Sequence, residues 1–302
     1  MSQEEGYVTT EEGVRLFFRR VGEGPGVVAL PNGMHLLEDF RPLAVGRSLL
    51  FYDVRNRGLS DSIPDPAKRA RGVHHDVEDL EALRRHFGFG AVDLIGHSYM
   101  GTVVALYAMS YPKSVRRIVQ IGPMEPFPGK AYPAHLTGAD AALQEIFAKV
   151  GQVQQERGNL EPVEFCRRFW AALRPLYVTD PADAGRIASW ERCDLPNELG
   201  FMSYWLGSLL PSLQGLDLQA EDFARVKAPV LTIHGRRDRS APYGGGREWA
   251  MRLPEARLVT VENGGHAPWI EAPGQVFGAI AAFLEGRDGA WPEGAEKVGS
   301  LE

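Results

Sequence analysis

The chain has 302 residues, 44% of them hydrophobic and 24% charged, and a chain of this length buries roughly three quarters of its unfolded surface. One large core, or a core with a smaller lobe, is therefore expected without staples. The formal charge of -6 and the lack of a basic stripe interleaved with aromatics exclude an electrostatic nucleic-acid binder. The most apolar stretches, 101–109 and 278–284, fall far short of the roughly 20 residues that a bilayer demands. The acidic start, MSQEEG, leads to the expectation that no secretory leader is present. These features predict a cytoplasmic protein, without membrane contact, that acts on a small molecule or short peptide; composition leaves the oligomeric state open. The two cysteines, Cys166 and Cys193, fit free, buried thiols in a reducing compartment, a bridge between them being the lesser alternative.

Residues 7–10 and 14–21 read as two strands around a turn at Gly13, followed by strands at 26–31, 48–53, 91–96 and 115–122. The runs that lack alternation suit strands buried on both faces. Val73, Val77, Leu80, Leu83 and Phe87 recur at helical spacing, so 71–87 forms an amphipathic helix ended by Gly88. A second block supplies a strand at 228–235, a helix at 245–253, a strand at 256–262 and a last helix at 273–286. Short strands alternating with helices predict a mostly parallel α/β sheet flanked by helices. Residues 124–223 carry helical patterns and clustered aromatics but no convincing strand, which predicts a helical cap inserted between core segments 1–123 and 224–286. The remainder, 287–302, is rich in Gly, Pro and charge and is expected to be loosely held, with Leu301 and Glu302 given no weight.

The decisive segment is Asp93-Leu-Ile-Gly-His-Ser-Tyr-Met-Gly101, a short apolar strand that runs through a serine into a helix. A hydroxyl attacks a carbonyl only if it projects from a sharp turn, and the helix that follows sets a backbone N–H beside the developing oxyanion. The bland alternative makes Ser98 an ordinary N-cap. Downstream, Arg236-Arg237-Asp238 follows a strand, and Asn263-Gly-Gly-His266-Ala-Pro-Trp-Ile-Glu-Ala-Pro273 follows the next. A serine, an acid and a histidine thus lie in that order on loops beyond the strands' carboxyl ends, where α/β sheets assemble their sites.

These segments resemble the α/β-hydrolase family: GHSYMG is similar to its G-x-S-x-G elbow, with Met100 in place of the second glycine, and the His266 stretch is similar to G-H-x-P-x-x-E-x-P. The resemblance implies Ser98 as nucleophile, His266 as base and Asp238 as the acid that orients it, with Glu125 as a rival acid. It also implies oxyanion donors from the backbone N–H groups of Met34 and Tyr99, and a loop Asn32-Gly33 where many relatives carry His-Gly. Tyr52-Asp53-Val-Arg55-Asn-Arg57-Gly58-Leu-Ser60 is similar to the family's Y-D-x-R-G-x-G-x-S stretch and reads as scaffold. The pair Trp190-Glu191 resembles one in the cap of proline iminopeptidases. It implies an aminopeptidase alternative in which Glu191, or nearby Glu198, anchors the substrate amine.

Substrate contacts are expected from Asn32, Gly33, Trp190, Glu191 and Trp269. His97 reads as packing or rim, and His74, His75, Asp76 and Asp79 as a solvated helix face rather than a metal site. No phosphate loop, dinucleotide fingerprint or Cys-x-x-Cys pair is present, so no cofactor and no metal are implied. The leading expectation is hydrolysis of small esters through an acyl-enzyme. The alternatives are the aminopeptidase and, because fold does not fix function, a non-hydrolytic ligand-binding or lyase member of the fold.

Overall fold

The computed structural model describes residues 2–286 and 291–301. Its sheet has nine strands: β1 (Gln3–Thr9), β2 (Arg15–Val21), β3 (Gly26–Pro31), β4 (Arg47–Tyr52), β5 (Val92–His97), β6 (Val115–Ile121), β7 (Val230–Gly235), β8 (Ala256–Val261) and β9 (Ala295–Glu296). They lie in the order β1-β2-β4-β3-β5-β6-β7-β8-β9. The six strands from β4 to β8 in that order are parallel, with antiparallel β1, β2 and β9 at the margins. All residues of β5 and β7 are buried, as their unbroken apolar runs require of strands covered on both faces.

Alternate residues of β3 show the two faces. Val27 and Ala29 join the core formed with α1 (Val73–His86), α2 (Tyr99–Ser110) and α6 (Tyr243–Arg252); Val28 and Leu30 join the core formed with the turns at 33–44 and with α7 (Pro273–Glu285). Between β6 and β7 the chain is helical. Its main elements are α3 (Ala141–Glu156), α4 (Pro162–Leu173) and α5 (Pro196–Tyr204), and α5 continues through a π turn at Trp205–Leu209. Ile146, Val150, Phe169 and Leu176 give this cap a small core of its own.

Charged residues of the scaffold stretch fasten the cap to the sheet. Arg192 binds Asp53 at 2.7 Å, and Arg57 binds Glu198 at 2.9 Å, Glu198 also accepting the Gly58 N–H at 2.8 Å. Arg55 instead pairs with Asp79 and Glu12 within the core.

Three expectations are corrected. The segment expected to be loosely held contributes β9, and Val298 is buried while Trp291 stacks on Phe283 at 5.3 Å. These apolar anchors hold what polar composition alone predicts to be loose; residues 287–290 and Glu302 lie outside the described residues. On α1 His74 is solvated, but His75, Asp76 and Asp79 are buried, because this face of the helix packs against the sheet. Cys166 and Cys193 form a disulfide. Such bridges persist in oxidising compartments, so the cysteines no longer argue for a reducing one.

The bridge closes a sequence separation of 27 residues from α4 to the segment just after Trp190. Loss of the bridge should therefore destabilise the protein by about 3.5 kcal/mol through the entropy returned to the unfolded chain. Urea unfolding of Cys166→Ser and Cys193→Ser should show equal losses, with the double variant no worse than either; unequal or additive losses would contradict the bridge.

Candidate active site

Four loops at the carboxyl ends of parallel strands meet here: the one after β3 carries Asn32, after β5 Ser98, after β7 Asp238 and after β8 His266, with β6 between β5 and β7. Ser98 sits at φ 60°, ψ −132° between β5 and α2, a conformation costly for a residue with a side chain. The turn is tight because its neighbours are bare. A Cβ on Gly96 would lie 2.3 Å from the Met100 carbonyl oxygen, and one on Gly101 would lie 2.7 Å from Pro123. Met100 itself points into the core and is 1% exposed, so the close approach needs glycine at 96 and 101 and leaves room for a large side chain at 100.

Asp238 is fully enclosed. Its Oδ2 accepts from His266 Nδ1 at 2.8 Å and from His234 Nε2 at 3.0 Å, while Oδ1 accepts the backbone N–H groups of Ser240 and Ala241, both at 2.8 Å. Burial alone would raise this carboxyl, but the His266 and His234 imidazoles outweigh it and hold the group well below the usual carboxylate range. Gly122, at φ 49°, leaves space for the pair: a Cβ there would lie 3.1 Å from both Asp238 Oδ2 and His266 Nδ1. His266 Nε2 is buried and has no hydrogen-bond partner among the described residues, and the residue borders the same cavity as Ser98.

That cavity has a volume of about 370 Å³ and runs under the cap. Asn32, His97, Ser98, Tyr99, Trp190 and His266 border it, together with Glu125, Arg57 and cap aromatics that include Phe169, Trp170 and Trp205. Tyr99 begins α2, and the first N–H groups of a helix have no carbonyl a turn earlier to bind. Asn32 is left-handed at φ 50°, which asparagine tolerates better than most residues. Met34 lies in the following turn, Gly33–Leu36, and borders a smaller cavity of about 220 Å³ that shares His35.

The remaining expected contacts are distributed differently. Trp269 does not border the larger cavity; it lies behind His97 at 4.8 Å and donates its Nε1–H to Asp39 at 2.9 Å. Gly33 packs over Leu30, where a Cβ would meet it at 2.7 Å. Glu191 faces Arg174 at 2.6 Å and Arg167 at 3.3 Å rather than the cavity, since two guanidiniums on neighbouring cap turns claim it. Glu198 is claimed by Arg57. Glu125 leaves the His266 nitrogen to Asp238.

His97 is both packing and wall. Its Nε2 meets the His266 carbonyl at 3.1 Å and its Nδ1 faces His35 Nε2 at 3.4 Å. Sequence reasoning assigned no role to His234, although it stands in the strand run APVLTIHG four residues before Asp238; a polar residue closing an apolar strand was the available signal.

The chain belongs to the α/β-hydrolase fold family, whose pattern matches residues 29–273, and it is an enzyme of that kind, acting on ester or amide bonds. Among its relatives, it is 27% identical to the sn-1-specific diacylglycerol lipase ABHD11 of Mus musculus, over 86% of this chain and 81% of the relative. It is 28% identical to a pimeloyl-[acyl-carrier protein] methyl ester esterase of Xanthomonas campestris pv. campestris, over 87% and 96%. It is 22% identical to a proline iminopeptidase of Heyndrickxia coagulans, over 93% and 98%. An esterase structure from Exiguobacterium antarcticum superposes with a TM-score of 0.70 at 16% identity, covering 94% of this chain and all of the other.

His234 and His35 give two measurable consequences. His234→Leu should leave the buried Asp238 one donor short, lowering the melting temperature and cutting turnover about ten- to a hundredfold, whereas His234→Gln, which restores a donor, should recover most of the loss. Equal damage from both would show that ring packing is what matters. Burial, aided by the positive charge of Arg57, lowers the His35 imidazole to about 3 from 6.5. The unfolded chain therefore takes up a proton that the folded chain refuses, so the stability this residue contributes is full above about pH 6.5 and is lost as pH falls toward 3. His35→Gln should flatten the decline of melting temperature between about pH 6.5 and 4; an unchanged slope would contradict the assignment.

Proposed function

We propose that this enzyme hydrolyses small esters through an acyl-enzyme formed on Ser98. The observation that carries the proposal is the state of His266: Nδ1 is tied to Asp238 at 2.8 Å, Nε2 is buried without a hydrogen-bond partner among the described residues, and the residue borders the cavity that Ser98 also lines. An imidazole held by a carboxylate on one side and free on the other is poised to accept a proton.

In the first half-reaction His266 Nε2 takes the proton from Ser98 Oγ as the Oγ–carbonyl carbon bond forms. The carbonyl electron pair moves onto oxygen, where the Tyr99 and Met34 N–H groups are the proposed donors. Collapse of the adduct breaks the ester bond, and the leaving alcohol takes the proton from His266. Water then repeats the sequence on the acyl group and frees Ser98. The strained elbow holds Ser98 Oγ ready for attack, and the cavity is near the lower end of small-molecule sites, which favours short acyl and alcohol groups. The names of the esterase relatives point the same way. The aminopeptidase alternative keeps the support of the proline iminopeptidase relative, but Glu191, its expected anchor, is already paired with two arginines.

Ser98→Ala and His266→Ala should each lower turnover of short nitrophenyl esters by about four to six orders of magnitude without altering the unfolding midpoint greatly. Asp238→Asn should cost on the order of ten thousandfold by favouring the wrong imidazole tautomer. Single-turnover labelling with a fluorophosphonate reports the same nucleophile directly. A purified Ser98→Ala protein that labels, or that retains activity within tenfold of the parent, would overturn the proposal.

A further inference from the structure

The cavity wall has an uneven charge. Its one arginine, Arg57, spends its fork on Glu198, with Nε to Oε1 at 3.0 Å and Nη2 to Oε2 at 2.9 Å. Two of its histidines carry no compensating charge, because burial keeps the imidazoles of His35 and His97 far below their ordinary range. His266 faces Asp238. Glu125 remains. It is half-buried, borders the cavity, and among the described residues forms no hydrogen bond or ion pair.

Glu125 follows β6 by four residues, and the N–H of its neighbour Met124 reaches the Ser98 carbonyl at 3.4 Å, so the backbone of this turn lies against the elbow. Its own backbone packs on Gly245, where a Cβ would lie 2.9 Å from that of Glu125. Gly245 is in the first turn of α6, and the positive end of a helix favours a nearby carboxylate even where no cation is at hand. Phe169, Trp170 and Trp205 border the same cavity, and aromatic faces attract organic cations; the face of Phe201 is already covered by the Arg57 guanidinium at 3.8 Å.

We propose that Glu125 and these aromatic faces form a subsite for an organic ammonium group, so that the enzyme selects substrates carrying a positively charged nitrogen. The proposal names the substrate class of the reading given above and rests on it for the step of hydrolysis, though not for binding. It explains a carboxylate left without a partner in an otherwise compensated wall: the ligand supplies the cation. A role for Glu125 as the triad acid makes a different demand, since its loss would then impair all substrates alike.

The test uses choline and 3,3-dimethylbutanol, which share shape and differ in charge, titrated into the whole protein by calorimetry. The wild-type protein should bind choline at least about tenfold more tightly than the neutral alcohol, and added salt should narrow the gap. In Glu125→Gln, whose fold is checked by its melting curve, the two affinities should come within about twofold. Equal binding of both probes by the wild-type protein overturns the subsite without recourse to any variant, and so does a preference that survives in Glu125→Gln.

Turnover of the acetate esters of the same two alcohols separates this proposal from the hydrolase reading. Preferred binding of choline with neither ester cleaved removes the hydrolase reading and leaves the ammonium subsite. Cleavage of both esters without preference, together with equal binding, removes the subsite and leaves the hydrolase.

Discussion

A carboxylate sealed from water must be surrounded by donors, and the enclosure of Asp238 is the constraint from which the rest of the site follows. Two backbone N–H groups and two imidazoles supply its four contacts. To deliver them, the chain after β7 turns back at Ser240 and Ala241, and the loop after β8 brings His266 over the same oxygen. The neighbouring position just after β6 must then be bare, which is the physical reason for glycine at 122. Removing any one donor leaves charge exposed to a medium that cannot solvate it. The acid is thus both a chemical group and the fixed point about which three loops are arranged.

The elbow at Ser98 follows the same logic with backbone in place of charge. Strand and helix approach so closely at Gly96, and the helix start and Pro123 at Gly101, that neither position tolerates a Cβ, whereas Met100 meets only core. The family pattern shifted by one residue is therefore a change in where the contact falls and leaves the turn tight.

Much of this was legible in the sequence because its signals were local. Unbroken apolar runs marked β3, β5 and β7, the spacing of Val73, Val77, Leu80 and Leu83 marked α1, and the order of Ser98, Asp238 and His266, each just after a strand, pointed to the loops that converge. What the sequence concealed depends on partners distant along the chain. Trp190-Glu191 is a short match, and nothing in it reveals that Arg174 and Arg167 already hold the glutamate. The Cys166–Cys193 bridge needs α4 and the segment after Trp190 to come together, and two cysteines alone do not say so. The strand at Ala295–Glu296 is only two residues long, held by Trp291 and Val298 rather than by any pattern of its own. His75 and Asp76 looked solvated because their helix is charged, yet they lie on its inward face.

The cap's attachments lead to a point about how such a chain changes over time. Besides the ion pairs of Arg192 and Arg57, the Tyr177 carbonyl accepts the N–H of Ala267 at 2.9 Å, and Arg239, next to Asp238, donates to the Val178 carbonyl at 2.6 Å. The inserted helices are therefore sutured to the very loops that present Asp238 and His266. Such an insertion is not an interchangeable module: a cap transplanted from a relative would arrive without these stitches and would loosen the residues beneath it. Drift in cap sequence is then free along the outer turns of α3 but constrained at Arg192 and Glu198, whose side chains pair with the core, so new substrate ranges are reached by repainting the inner wall while the seam is kept.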